Sequence, residues 1–178
     1  MNLNQFKTQA LAGGGARANL FEVEGQIGPN SDGGMLKFLC RSSSLPASSL
    51  GEISVPYRGR VLKIPGDRTF DPWDVTIISD SGFELRDRFE AWSNALNMHE
   101  SNLTLAYQGN FISVPFFQDW HITWLKRDGA RANGRTYRMV GCWPQTVSAI
   151  EVAADTNDSL AEFSVTMNYQ WWMSDATT

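Results

Sequence analysis

The chain has 178 residues, 42% hydrophobic and 19% charged, with 19 acidic against 15 basic side chains and a net charge of −4. That length is most simply one domain burying about two thirds of its unfolded surface, and the acidic balance argues against a dedicated nucleic-acid binder, which usually shows a basic balance. No apolar run approaches the ~20 residues of a membrane-spanning helix and no charged-then-apolar leader opens the sequence, so the expectation is a soluble protein, cytosolic when made.

Residues 1–18 are polar, rich in small side chains, and end in Gly13-Gly14-Gly15-Ala16-Arg17. No Gly-Lys-Ser/Thr follows, so they read as a flexible arm and not as a phosphate loop. Residues 19–24 alternate and predict a first strand. Residues 28–34 carry dense turn chemistry and predict a hairpin loop, with a second strand over 35–41 that places Leu36, Phe38 and Cys40 on one face. Residues 42–51 read as a polar loop, yet it holds Leu45, Pro46 and Leu50, apolar side chains that want a surface to pack on. Residues 53–64 predict one long strand, in which Pro56 marks an edge or bend and Gly59 an irregularity.

Next comes a corner. Pro65-Gly66 reads as a turn, and Asp67, Arg68, Asp71 and Asp74 interleave with Phe70 and Trp73 before a β-rich run from Val75. An ion pair from Arg68 to a neighbouring carboxylate is expected to pin it. Residues 82–97 predict the one helix. Ser81 and Glu84 match a capping box, Leu85, Phe89, Trp92 and Leu96 form one apolar stripe, and Glu84 and Arg88 are spaced to pair.

Beyond the helix, Trp120, Ile122 and Trp124 predict a strand over 119–126, and 127–135 reads as a solvated basic connector. A strand over 136–143 closes at Pro144, a short one is expected over 150–153, and Phe163, Val165, Met167, Tyr169 and Trp171 alternate strictly with polar residues. The expected fold is mainly β, an antiparallel sandwich or partly open barrel of about seven strands with one flanking helix. Its long edges need a partner. Residues 1–18 are read as an arm, 19–172 as the domain and 173–178 as a tail.

No catalytic, metal or cofactor site is predicted. His99 and His121 lack a second ligand at zinc spacing, no Gly-x-Ser-x-Gly elbow occurs, and Asp67, Asp71 and Asp74 lack calcium-loop spacing. Cys40 and Cys142 sit in apolar runs and read as buried thiols, although the sequence leaves a disulfide open. Seven tryptophans are first a core and then an interface signal; a carbohydrate-stacking β-sandwich is the alternative from a different class.

Several stretches together resemble the tail tube proteins of contractile-tailed bacteriophages. They are Asn19-Leu20-Phe21-Glu22-Val23-Glu24, then Phe38-Leu39-Cys40-Arg41 running into Leu45-Pro46-Ala47, then Ile53-Ser54-Val55-Pro56 through Gly66-Asp67-Arg68-Thr69-Phe70-Asp71-Pro72-Trp73-Asp74. Gly141-Cys142-Trp143-Pro144-Gln145-Thr146-Val147 and Phe163-Ser164-Val165-Thr166 to Trp172 complete the series. The resemblance implies a virion structural protein, assembled in the host cytoplasm, whose hexameric rings complete a wide β-barrel and stack into a tube. Its implied partners are itself, a tail sheath protein, baseplate and tail terminator proteins, a tape measure protein in the bore, and phage DNA in transit. A tube of a related injection particle (bacteriocin or secretion type), or a tube initiator or terminator, is the near alternative.

The resemblance makes the 42–51 loop the contact to the next ring, through Leu45, Pro46 and Leu50. It gives the corner residues Asp67, Arg68, Phe70 and Trp73 a role between subunits. The strands it would place at the bore, about 35–41 and 53–64, carry Lys37, Arg41, Arg58, Arg60 and Lys63. The family's bores tend to be acidic, so the sign of this one stays open.

Overall fold

The computed structural model describes residues 2, 3, 8, 16–28, 36–104, 117–153, 155 and 159–177, and among them are nine strands and two helices. Alternation decides the architecture. In β8 (Glu162–Asn168) Phe163, Val165 and Met167 are buried and the residues between them are half-exposed; in β5 (Trp73–Ile78) Trp73, Val75 and Ile77 are the buried set. The two strands pair antiparallel with Val75 opposite Val165. Both apolar rows therefore share one face, and the polar rows share the other.

Around this pair a seven-stranded sheet is laid out in the order β1-β6-β7-β8-β5-β2, with β9 also on β7. Here β1 is Phe21–Gly25, β2 Cys40–Ser43, β6 Gln118–Leu125, β7 Arg131–Val147 and β9 Trp171–Ser174. The long β7 serves two halves. Its first part pairs with β6 and β9, and its last residues, from Trp143, pair with β8. The change of partner falls at Gly141, whose φ of +69° suits glycine and where an added Cβ would meet the Gln170 Cγ at 3.0 Å. The inner faces of the halves meet at Trp73 and Trp120, edge-on with centroids 5.9 Å apart.

Helix α2 (Glu84–Leu96) buries Leu85, Phe89 and Trp92 against this core, Phe89 lying 6.1 Å from Trp120 and 6.2 Å from Phe163. The apolar stripe is as the periodicity predicts, with Glu84 and Arg88 paired at 3.8 Å. The cap is not. Asp80, rather than Ser81, accepts from the backbone N–H groups of Gly82, Glu84 and Leu85, and Phe83 takes the N-cap position with a left-handed φ of 56°.

Four expectations are corrected. The second strand is instead helix α1 (Leu36–Leu39) followed by the short β2, because Leu36 is fully buried in the core. The hairpin loop read over 28–34 lies, past Gly28, outside the described residues, as does most of the apolar run 111–117. Pro144 does not end its strand, because β7 runs on to Val147 and starts at Arg131, inside the expected connector. No strand is found over the described residues 150–153.

The fourth correction is the largest. Residues 53–64 are not one strand and Pro65-Gly66 is not a turn. β3 (Ser48–Tyr57) and β4 (Arg60–Phe70) form a separate two-stranded hairpin, reversing at Arg58 (φ 45°) and Gly59 (φ 82°). Two successive positive φ values are the two-residue turn that matches strand twist. Pro65-Gly66 lies in mid-strand at a bulge, where the register slips between Leu50 and Glu52. Gly51 and Gly66 let the backbones close there; a Cβ on Gly66 would lie 3.2 Å from the Gly51 carbonyl carbon.

Candidate assembly site

The hairpin inserted between β2 and β5 has two unlike faces. Cross-strand partners share a face, so Ile53 with Ile64 and Val55 with Leu62 make one apolar row, ended by Tyr57 and Arg60. All are exposed, Leu62 at 61% and Ile53 at 54%. The opposite face is mixed, with Lys63 paired to Glu52 at 3.0 Å and the Ser54 hydroxyl donating to Glu52 at 3.1 Å, and with Pro56 opposite the exposed Val61 near the tip. Apolar residues on an otherwise solvated ribbon mark an interaction surface.

Its root is held by aromatic donors. The Trp73 indole N–H donates to the Ser44 carbonyl at 2.6 Å, and the Tyr169 hydroxyl and Trp172 indole N–H both donate to the Ala47 carbonyl at 3.3 Å. Phe70 lies against Tyr169 with centroids 6.1 Å apart, and Pro46 is buried. The link across 44–47, between β2 and β3, is thus fixed to the body while the strands beyond it project.

The predicted contact residues are divided among these zones. Leu45 is exposed in the link, Leu50 and Arg68 face each other across the lower hairpin, and Asp67 sits exposed at the bulge. Arg68 pairs with no carboxylate among the described residues, so the corner is pinned by aromatics without the expected ion pair. Trp73 is 1% exposed in the core and has no surface to offer a neighbour. The row Ile53, Val55, Leu62 and Ile64, and the root donors Tyr169 and Trp172, escaped the sequence reading; its signal was the alternation on either side of Arg58-Gly59.

The five basic residues do not converge. Lys37, on α1, ion-pairs Glu22 and Glu24 of β1, and Arg41 pairs Glu162. Arg58 and Arg60 flank the hairpin tip, and Lys63 is tied to Glu52.

The outer face of β1-β6-β7 is a ladder of compensated charge. Arg138 pairs Asp119 at 2.5 Å and Arg131 pairs Glu24 at 2.9 Å. Burial pushes Asp119 upward, but the Arg138 hydrogen bond and charge and the Gly141 N–H outweigh it and hold the carboxyl below the usual range. His121, opposite Glu24 and Arg138, is held below the usual imidazole range by burial and then by Arg138, against the pull of Asp119 and Glu24. Both thiols are free and pushed up by burial, Cys40 to about 11 and Cys142 to about 12, which leaves them unreactive. Among the described residues no cluster of His, Cys, Asp or Glu is suited to a metal, and no helix is long and apolar enough to cross a membrane.

The family model for phage tail tube proteins matches residues 3–175. The chain belongs to that family. It is 30% identical over 161 residues to the tail tube protein of Enterobacteria phage T4, covering 88% of this chain and 90% of that one. It is likewise 30% identical over 137 residues to the tail tube protein of Serratia phage KSP90, covering 77% and 73%. The fold is that of a chain in the sheath-tube complex of an extracellular contractile injection system, with a TM-score of 0.60 at 17% identity over 98% of this chain and 97% of that one. A chain in the sheath/tube terminator of such a system gives 0.65 at 17% identity, over 90% and 96%. The chain is therefore a phage tail structural protein and a virion component.

Proposed function

We propose that copies of this chain close into hexameric rings, the number the family resemblance implies, and that rings stack through the β3–β4 hairpin into the inner tube of a contractile tail. The observation that carries this is the apolar row Ile53, Val55, Leu62 and Ile64, exposed on a ribbon that, beyond Phe70 at its root, joins no core cluster among the described residues. Four such side chains recover on the order of 1–2 kcal/mol each when a neighbour covers them. This moves the inter-ring contact from the expected 42–51 loop to the hairpin that its second half begins. The role is structural and involves no catalysis. A sheath encloses the tube, baseplate and terminator proteins close its ends, and a tape measure protein and then DNA occupy the bore.

The phage reading is preferred over an injection particle because sequence relatives at 30% identity are phage tail tube proteins, while likeness to the injection systems is one of fold. A carbohydrate platform lacks its surface. Trp73, Trp92 and Trp120 are core, and of the seven tryptophans only Trp171 is largely exposed. Electron microscopy of the purified protein is expected to show rings and tubes of uniform width. A protein that stays monomeric at all concentrations overturns the reading.

A further inference from the structure

We propose that the outer half of the β3–β4 hairpin docks on a second copy of this chain in the next ring, in the cleft between the segment that leaves β7 and the start of β8. This rests on the tube reading and names the other half of its stacking contact. Stacked rings repeat one another, so what projects from one end of a chain has to meet the other end of its neighbour. The register fixes which end that is. The hairpin is rooted where Trp73 of β5 lies opposite Met167 of β8, since its link is bound by Trp73, Tyr169 and Trp172. The cleft is lined by Glu162 and Ser164, at the far end of the same two strands, where Ile78 lies opposite Glu162. From Trp73 to Ile78, at ~3.4 Å per residue, is about 17 Å of strand.

The two surfaces match in kind. The cleft holds about 700 Å³, and its lining includes Arg41, Ser148, Glu151, Val152, Leu160 and Glu162. Val152 at 90% and Leu160 at 70% are the most exposed large apolar side chains among the described residues. They are apolar partners for the exposed row Ile53, Val55, Leu62 and Ile64. The charges are complementary as well. Arg60 ends that row opposite Tyr57, and the Arg58 guanidinium lies 5.4 Å from the Tyr57 ring centroid. Neither arginine pairs with a carboxylate among the described residues. Glu151 in the cleft and Asp155 just beyond it in sequence are exposed and likewise lack a cation there, while the one cation of the lining, Arg41, is taken by Glu162. The floor is held to the body. The Ser148 N–H donates to the Ser164 carbonyl and the Ser164 N–H to Ser148 Oγ, both at 2.8 Å, and Arg86 donates to the Ser148 carbonyl at 3.0 Å. A floor fixed in this way has little freedom left to lose on binding.

Charge exchange tests the docking. Arg58→Glu with Arg60→Glu reverses the tip, and Glu151→Arg with Asp155→Arg reverses the cleft. Each pair of changes is expected to shorten tubes roughly tenfold or more in electron micrographs, because the reversed contacts repeat around the whole ring. The chain carrying all four changes is expected to regain wild-type length. A second measurement does not depend on charge. Tyr57→Cys and Val152→Cys are placed in one chain, at two exposed positions where substitution disturbs the fold little. A short bis-maleimide added to formed tubes is expected to join ring to ring and give a ladder of covalent multimers in a denaturing gel, whereas either change alone gives no ladder. Should the fourfold variant fail to recover, the ladder decides. Double-cysteine tubes without a ladder, or cleft-reversed chains that elongate like wild type, overturn the docking, assign the cleft to a partner outside the tube and leave the tube reading standing. A wild-type protein that forms no tube overturns the tube reading, and this inference falls with it.

Discussion

Asp80 and His121 are the residues whose roles the structure states most sharply. Three backbone N–H groups at the start of α2 converge on the Asp80 carboxylate, which holds it below its ordinary range against the desolvation that opposes this. Asp80→Ala is therefore expected to cost about 1 kcal/mol of stability, and Ser81→Ala close to nothing, as urea midpoints will show. The sequence reading chose Ser81 and not Asp80. Ser81 has the capping-box spacing, but Phe83 turns left-handed, which moves the cap back by one. His121 gives a pH prediction. Its folded value lies below the unfolded one near ~6.5, because burial and Arg138 penalise the cation while Glu24 and Asp119 only partly compensate. Protonation thus opposes folding, and stability is lost as pH falls through ~6.5. His121→Gln is expected to flatten the urea midpoint between about pH 7 and 5.5, a window well above the range in which Asp119 titrates; an unchanged slope refutes the assignment.

At the scale of elements, the helix and the body strands β5, β6 and β8 were legible because each buries one face and carries a clean period. The hairpin was not, for a physical reason. Neither of its faces is buried in the chain itself, and a two-residue reversal at Arg58-Gly59 lacks the usual Asn-Gly or Asp-Gly signature. Pro65-Gly66, a stronger turn signal, sits at a bulge instead. The same independence makes a prediction. Leu62→Asp is expected to leave the thermal midpoint of the isolated subunit within about 1 °C, since an exposed surface site shifts stability little, yet to abolish long tubes while rings persist. Ser54→Asn, on the opposite face of the hairpin, is expected to leave tubes intact. Electron micrographs and a melting curve of each variant decide it.

For the whole molecule, a sandwich with unsatisfied edges could be read from alternation and turns, whereas the way one sheet supplies both layers could not. That arrangement depends on β7 changing partners at Gly141 and running on through Pro144, and no local pattern announces a strand that belongs to two halves. Gly141→Ala is expected to cost about 1–2 kcal/mol for its left-handed φ, with the Gln170 side chain forced aside as well. A denaturation curve that stays cooperative but shifts to lower urea would show that the halves unfold as one.

The hairpin is present once per chain and leaves the body from one side only, between β2 and β5. Rings joined through it are joined head to tail, so a tube built this way has polarity. One terminus displays a crown of uncovered apolar ribbons and the other a circle of vacant seats. A protein that plugs one terminus has the wrong surface for the other, and elongation at the two termini proceeds by chemically different steps.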